Sequence, residues 1–239
     1  MKLNSLIIAE TDNWVAVNKP SGLLSIPDRE GKEISLKVML KEKYGNIFTV
    51  HRIDKDTSGV IIFAKNEIEH AHLSAQFDNR KTTKIYQGLV NGTLVTPSGT
   101  INAPIAEHPA KNGTMMVHRN GKESITDYLV LEDFGIYSWM QFQIHTGRTH
   151  QIRVHMQSIG HPIVADPLYG DGKGVFVSAI RKKFKLAKSE EEERPILGRL
   201  ALHAASLTIE DSKGATLELA APLPKDIQAT LQQLQKRKK

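Results

Sequence analysis

The chain contains no cysteine, which removes disulfides, thiolate nucleophiles and cysteine-bound zinc in one step. Aromatic residues make up only 6% of its 239 positions, so a tyrosine beside a polar motif stands out. Long apolar runs are missing too. The longest, Val60–Ala64, has five residues, far short of the roughly 20 that cross a bilayer as a helix. Near the start, Leu6-Ile7-Ile8-Ala9 is cut off by Glu10 before the apolar core of a signal peptide forms. The reading is a cytoplasmic protein with no membrane partner. What remains is an ordinary globular balance, 40% hydrophobic and 24% charged. The net charge is +6, and Lys236-Arg237-Lys238-Lys239 supply four of those charges, leaving +2 for the rest. The basic excess is mostly a tail, and it permits a polyanionic partner without requiring one.

No internal repeat and no Gly/Ser/Pro-rich linker divides the chain, so a single domain is expected over residues 1–239. Apolar alternation predicts strands around Asn4–Glu10 and Trp14–Lys19, with a turn at Lys19-Pro20-Ser21-Gly22. Helical spacing runs from Ser35 to Tyr44 with Gly45 as a cap, and again from Ile68 to Asn79. Gly59–Lys65 and Thr83–Val90 read as strands, 93–122 as loops or short strands, and Ser124–Leu131 with Tyr137–His145 as an antiparallel pair. From Thr149, Ile152, Met156 and Ile159 form one helical stripe while His150, Arg153 and Gln157 line another face, with Gly160 at the C-cap. Residues 171–199 carry a basic cluster at 181–188 and an acidic run at 190–193, and read as an exposed, mobile, charged insertion. Strands then resume at Arg199–Ile209 and Thr216–Ala220 before a helix from about Pro224. Hairpin-like strand order with helices between argues for an α+β fold around a mainly antiparallel, mixed sheet flanked by helices.

Two segments carry chemistry. If the first part of Thr49-Val50-His51-Arg52-Ile53-Asp54-Lys55-Asp56-Thr57-Ser58-Gly59 is extended, Val50, Arg52 and Asp54 share one side and His51 and Ile53 the other. Asp56-Thr57-Ser58-Gly59 then reads as a type I turn closed by glycine, which gives Asp56 a structural task. In the second segment, His145–His155, Arg148 stands at a strand–helix junction, where its guanidinium would keep a neighbouring carboxylate ionised. His150 and His155 are five apart on different helical faces with no carboxylate to complete a site, so no metal site is expected.

His51-Arg52-Ile53-Asp54 with Thr57-Ser58-Gly59, and Gly147-Arg148-Thr149-His150-Gln151-Ile152-Arg153-Val154-His155, resemble the signature motifs of the RluA family of pseudouridine synthases. Asn18-Lys19-Pro20-Ser21-Gly22-Leu23-Leu24, Lys84-Ile85-Tyr86 and Leu200-Ala201-Leu202-His203-Ala204 match as well, in the family's order, from near residue 14 to about 222. Departures are small: Ile53 stands where the family usually has Leu, and Gly88 where Ala is commoner. The resemblance implies a pseudouridine synthase catalytic-domain fold with a central active-site cleft. It implies Asp54 as catalytic carboxylate, Tyr86 stacked on the target base, Arg148 as ion-pair partner of Asp54, and Arg52 entering the RNA stack where the uridine has left. His51, Thr57, His150, Arg153 and His203 are then expected to bind substrate, with Arg153, the 181–188 cluster and the tail on phosphate. Many family members carry an S4-type domain ahead of the catalytic one. Here the first strand begins almost at Met1, so none is expected, and target choice would fall to the 93–122 and 171–199 segments.

The implied reaction isomerises a uridine of ribosomal or transfer RNA, presented in a stem-loop to a monomeric enzyme. The C1′–N1 bond breaks, the uracil reorients and C5 bonds to C1′. Nothing is oxidised, so no cofactor is expected. The carboxylate acts either as nucleophile at C1′ or as base at C2′, and the base must first leave the stack. Two rivals remain. A hydrolytic N-glycosidase would use Asp54 and Asp56, about 6.6 Å apart if extended. A non-catalytic RNA-binding or chaperone protein would need neither carboxylate.

Overall fold

The structure is a computed structural model that describes residues 2–28, 30–181 and 192–238, with only the backbone at 238. Most of the basic cluster at 181–188, the start of the acidic run at 190–193 and the last tail residue lie outside the described residues. In chain order the elements are β1 (Ile7–Glu10), β2 (Trp14–Lys19), α1 (Leu36–Tyr44), β3 (Phe48–Thr49), β4 (Ser58–Ala64), α2 (Glu67–Asp78), β5 (Thr83–Asn91) and β6 (Ser98–Asn102). There follow β7 (Ile105–Glu107), β8 (Met115–Val117), β9 (Ile125–Asp133), β10 (Tyr137–Ile144), α3 (Gln151–Ser158), α4 (Val177–Ile180), β11 (Leu202–Glu210), β12 (Thr216–Ala220) and α5 (Lys225–Lys238). They form two compact units. The first comprises Met1–Gln87, Gln143–Thr149 and Leu202–Pro222; the second comprises Gly88–Phe142, His150–Ala201 and Leu223–Lys239.

In the first unit the strand order is β1-β2-β4-β11 followed by the start of β5, with β3 beside β4 and β12 beside β11. β2 and β4 pair antiparallel from Trp14↔Ala64 to Lys19↔Gly59, while β4 and β11 run parallel through Ser58↔His203. The two-residue period of a strand separates the core into two faces. Val15, Val17, Ile61 and Phe63 pack with Leu36 and Leu40 of α1. Trp14, Ala16, Val60 and Ile62 pack with Leu73 of α2. The short run Val60–Ala64 is thus a strand buried along its whole length, and each of its Val, Ile and Phe side chains contributes about 1.5–3 kcal/mol. Both helices start where the sequence provides an oxygen cap: Ser35 accepts from the Val38 N–H at 3.4 Å, and Asn66 from the Glu69 N–H at 2.9 Å.

The second unit contains β10-β9-β6, in antiparallel succession from β9 to β6, and the small pair β7-β8. The α+β class and the mainly antiparallel, mixed sheet agree with the sequence expectation. No helix among the described residues is long and apolar enough to cross a membrane.

Four local expectations need correction. Leu3–Leu6 form a 3₁₀ turn, so only Ile7–Glu10 remain of the first strand. α3 has no solvated face over residues 151–156, all of which are buried. Its polar side chains are satisfied inside the unit, with Gln151 donating to the Ile125 carbonyl at 2.9 Å and His155 engaging Thr126 and Ala103. The 171–199 segment is not a purely exposed insertion, because Val175, Ile180 and Leu197 are buried and the Val175 N–H donates to Leu197 O at 2.8 Å. Finally, the tight turn lies at Asp54–Thr57, where the Thr57 N–H reaches Asp54 O at 3.2 Å, and Gly59 is already inside β4.

Gly59 is needed for a different reason. Its φ is +121°, and a Cβ there would lie 2.1 Å from Ala204 O of the parallel neighbour. Gly59→Ala is expected to cost about 3 kcal/mol through strain and forced strand separation, read as a lower urea midpoint with an unchanged slope.

Candidate active site

The backbone around Asp54 is gripped by the loop that follows β2. Lys19 is fully buried, and its Nζ donates to three carbonyls, those of Pro20 at 3.0 Å, Leu23 at 2.7 Å and Lys55 at 2.8 Å. A buried ammonium is tolerated only when its donors are met in this way. The Gly22 N–H adds a second bond to Lys55 O at 2.9 Å, and the Ser21 Oγ donates to Asp56 O at 2.6 Å. Ser25 Oγ donates to Ile53 O at 2.7 Å and accepts from the Ile53 N–H at 3.3 Å. The peptide groups on both sides of Asp54 are therefore held, and its side chain is half-buried.

Beside this turn, within the first unit, lies a cavity of about 470 Å³, in the size range of small-molecule sites. One wall comes from His51 and Arg52, a second from Phe77, Asp78 and Arg80 at the end of α2. Lys84 and Tyr86 of β5 and residues 144–148, ending in Arg148, complete it. Four side chains of the lining are cationic and one, Asp78, is a carboxylate. Such a wall favours an anionic occupant.

Two rings of the wall, those of His51 and Tyr86, are held neutral. His51 stacks on Phe77 with centroids 4.5 Å apart and planes at 17°. Its Nε2 accepts from the Ile62 N–H at 3.2 Å, which requires that nitrogen to be unprotonated. Burial and then the Lys84 ammonium push the His51 pKa down to about 3. Burial, reinforced by the Asp54 carboxylate, pushes the Tyr86 phenol above its ordinary value, so the hydroxyl keeps its proton. That effect also reports Asp54 close to Tyr86, although Asp54 does not itself line the cavity.

The remaining motif residues separate from this cluster. Thr57 and His203 are buried in the first unit. The His203 ring bridges Ser58 Oγ at 2.9 Å and Ala221 O at 3.1 Å, a structural setting rather than the expected substrate contact. Arg153, expected on phosphate, is instead buried in the second unit. It forms a two-pronged pair with Asp166 at 2.7 and 2.8 Å, because a buried guanidinium needs a carboxylate to offset its desolvation. His150, also of the second unit, has φ +57° and bonds Tyr169 Oη through Nδ1 at 2.8 Å. Tyr169 Oη also accepts the Met115 N–H at 2.8 Å. The turn at Asp54–Thr57 also means that Asp54 and Asp56 are not alternate residues of one strand, as a paired-carboxylate hydrolase would need.

Residues 13–158 match the profile of the family described as RNA pseudouridylate synthase. The chain belongs to that family. It is accordingly an enzyme of the isomerase class, as the RluA-type motifs implied. Among its relatives, ribosomal large subunit pseudouridine synthase D of Buchnera aphidicola (subspecies Acyrthosiphon pisum) is 38% identical over 232 residues, covering 94% of this chain and 72% of the relative. The Escherichia coli K12 protein of the same name is 34% identical, over 92% of this chain and 68% of its own. A solved structure, human RNA Pseudouridylate Synthase Domain Containing 4, superposes with a TM-score of 0.74 at 26% identity, covering 98% of this chain and 94% of that one.

In this pseudouridine synthase, the cavity also recruits Phe77, Asp78, Arg80 and Lys84, to which the sequence reading assigned no role. Lys84 had a signal: it is two residues from Tyr86 on one strand, hence on the same side. Phe77 and Arg80 had none, because the end of α2 meets the motifs only in three dimensions.

The His51 ring carries a pH prediction. Its folded pKa lies below the ordinary 6.5, so the unfolded chain binds more protons between the two values. The stability from the neutral ring is complete above about pH 6.5 and is lost as pH falls toward the folded value. In urea titrations at stepped pH, the advantage of wild type over His51→Phe, which cannot titrate, should narrow from about pH 7 to pH 4.

Proposed function

We propose that the cavity receives one everted uridine of large-subunit ribosomal RNA and isomerises it to pseudouridine, with Asp54 as the catalytic carboxylate. The observation that carries this is the gathering of both motif segments and Tyr86 around one cavity, with the Asp54 charge felt at the Tyr86 hydroxyl. The ribosomal substrate rests on the names of the relatives; transfer RNA is the second candidate.

In the proposed sequence the uridine leaves its stack at a cost of about a few kcal/mol. Arg52, exposed and in the cavity wall, offsets part of this by taking the vacated place. Tyr86 offers its face to the uracil. Asp54, with Arg148 as its cationic partner, either attacks C1′ or removes the C2′ proton, and the C1′–N1 bond breaks. The ring reorients, C5 bonds to C1′, the C5 proton departs and N1 gains one, so no atom is gained or lost. A phenol that stays protonated takes the C5 proton only while handing on its own, and the nearby Asp54 carboxylate is a suitable acceptor.

A transcript of large-subunit RNA labelled with [5-³H]uridine tests this, since every completed isomerisation releases tritium to solvent. Asp54→Asn is expected to abolish release while RNA affinity stays within about twofold; retained turnover removes Asp54 from the mechanism. Tyr86→Phe is expected to keep affinity and slow release by about 10²-fold or more, the scale of a lost proton-transfer group. Free uracil in the products would point to hydrolysis instead, and binding without turnover to a chaperone.

A further inference from the structure

Lys84 lies in the cavity wall with no task in the reaction above. Its ammonium sits 5.9 Å from the centroid of the Phe77 ring. Among the described residues no carboxylate pairs with it; Asp78, in the same wall, makes no ion pair with it. Burial and the neighbouring Arg80 guanidinium hold its pKa below the ordinary lysine value. Two cations thus face one cavity, one of them largely withdrawn from water, an arrangement that desolvation and like-charge repulsion both oppose.

Arg80 adds an independent observation from the backbone. α2 closes with the Lys81 N–H on Gln76 O at 2.9 Å and the Arg80 N–H on Phe77 O at 3.2 Å. This closure puts the residue between helix end and strand into the left-handed region, and Arg80 has φ +57°. Glycine occupies that position at least cost. An arginine here carries backbone strain, and its side chain lines the cavity. Strain kept at a cavity wall points to a task for the side chain.

We infer that Lys84 and Arg80 together grip one backbone phosphate of the RNA strand, next to the nucleotide that enters the cavity. The inference rests on reading this cavity as the RNA site. A phosphodiester suits the pair: the planar guanidinium can donate two parallel bonds, and the ammonium supplies a compact charge. Being sequence-independent, the contact sets the strand's position relative to Asp54 rather than the choice of base.

The test is filter binding of the large-subunit RNA transcript over a series of KCl concentrations, with Arg80→Gly, Lys84→Met, the double variant and the charge-preserving Lys84→Arg. Arg80→Gly, which the left-handed backbone accommodates, should still melt cooperatively yet bind RNA about 5–10-fold more weakly at low salt. In the double variant the slope of log affinity against log salt should flatten by about 0.7, the value for one phosphate on a single strand. Lys84→Arg should retain the wild-type slope. Weakened binding with an unchanged slope, in a double variant that melts cooperatively, overturns the inference and marks a contact to the base. Wild-type chain that binds the transcript without releasing tritium overturns the substrate reading instead, which the slope does not measure.

Discussion

The ammonium of Lys19, enclosed by three carbonyl oxygens, ties the loop after β2 to the turn that carries Asp54. A lysine in the interior would be costly if any donor lacked a partner. Here those partners are the backbone groups that must not move. Ser21, Gly22 and Ser25 add bonds to Ile53, Lys55 and Asp56. From Ser58 onward the chain is a wholly buried strand, locked at Gly59 by close approach to Ala204. The turn is thus fixed by polar bonds at one end and by packing at the other. The Asp54 side chain, half-buried, is carried on this fixed turn.

Two opposite ionisations are handled by one environment. Burial favours the neutral form of any titratable ring, and here it lowers His51 and raises Tyr86. The charges nearby reinforce each shift: Lys84 repels a proton from His51, and the Asp54 carboxylate opposes loss of one from Tyr86. Both rings therefore offer flat, uncharged faces in a wall otherwise rich in cations. That combination suits a base attached to a phosphate backbone, where stacking and charge attraction act on different parts of one ligand.

Two arginines in or next to the motifs are paired with carboxylates inside the second unit. Arg153 has Asp166 and Arg199 has Asp226, at 2.7 Å in each case, and both serve the packing of the second unit. Arg52 and Lys84 line the cavity instead. The motif spelling Gly-Arg-Thr-His-Gln-Ile-Arg gives the two arginines, Arg148 and Arg153, equal weight. The fold places only Arg148 in the wall.

Element type was largely legible in the sequence because it rests on local residue patterns: Val60–Ala64 is a short run rich in β-branched residues, buried on both faces, and Leu36 and Leu40 stand one helical turn apart. The glycine cap at Gly45 and the motif order were legible for a similar reason, since they are local patterns of residue type. The α+β class and the membership of the pseudouridine synthases follow from such patterns alone. The position of the tight turn, the burial of residues 151–156 of α3 and the confinement of His203 were not legible. Each depends on partners distant along the chain: Ser25 for Ile53, Asp166 for Arg153, Ala221 for His203. The sequence by itself determined which residue types stand near the chemistry, because side-chain alternation and capping act over a few positions. Only the tertiary structure decided which of them meet at the cavity, because burial and charge pairing depend on neighbours that chain folding supplies.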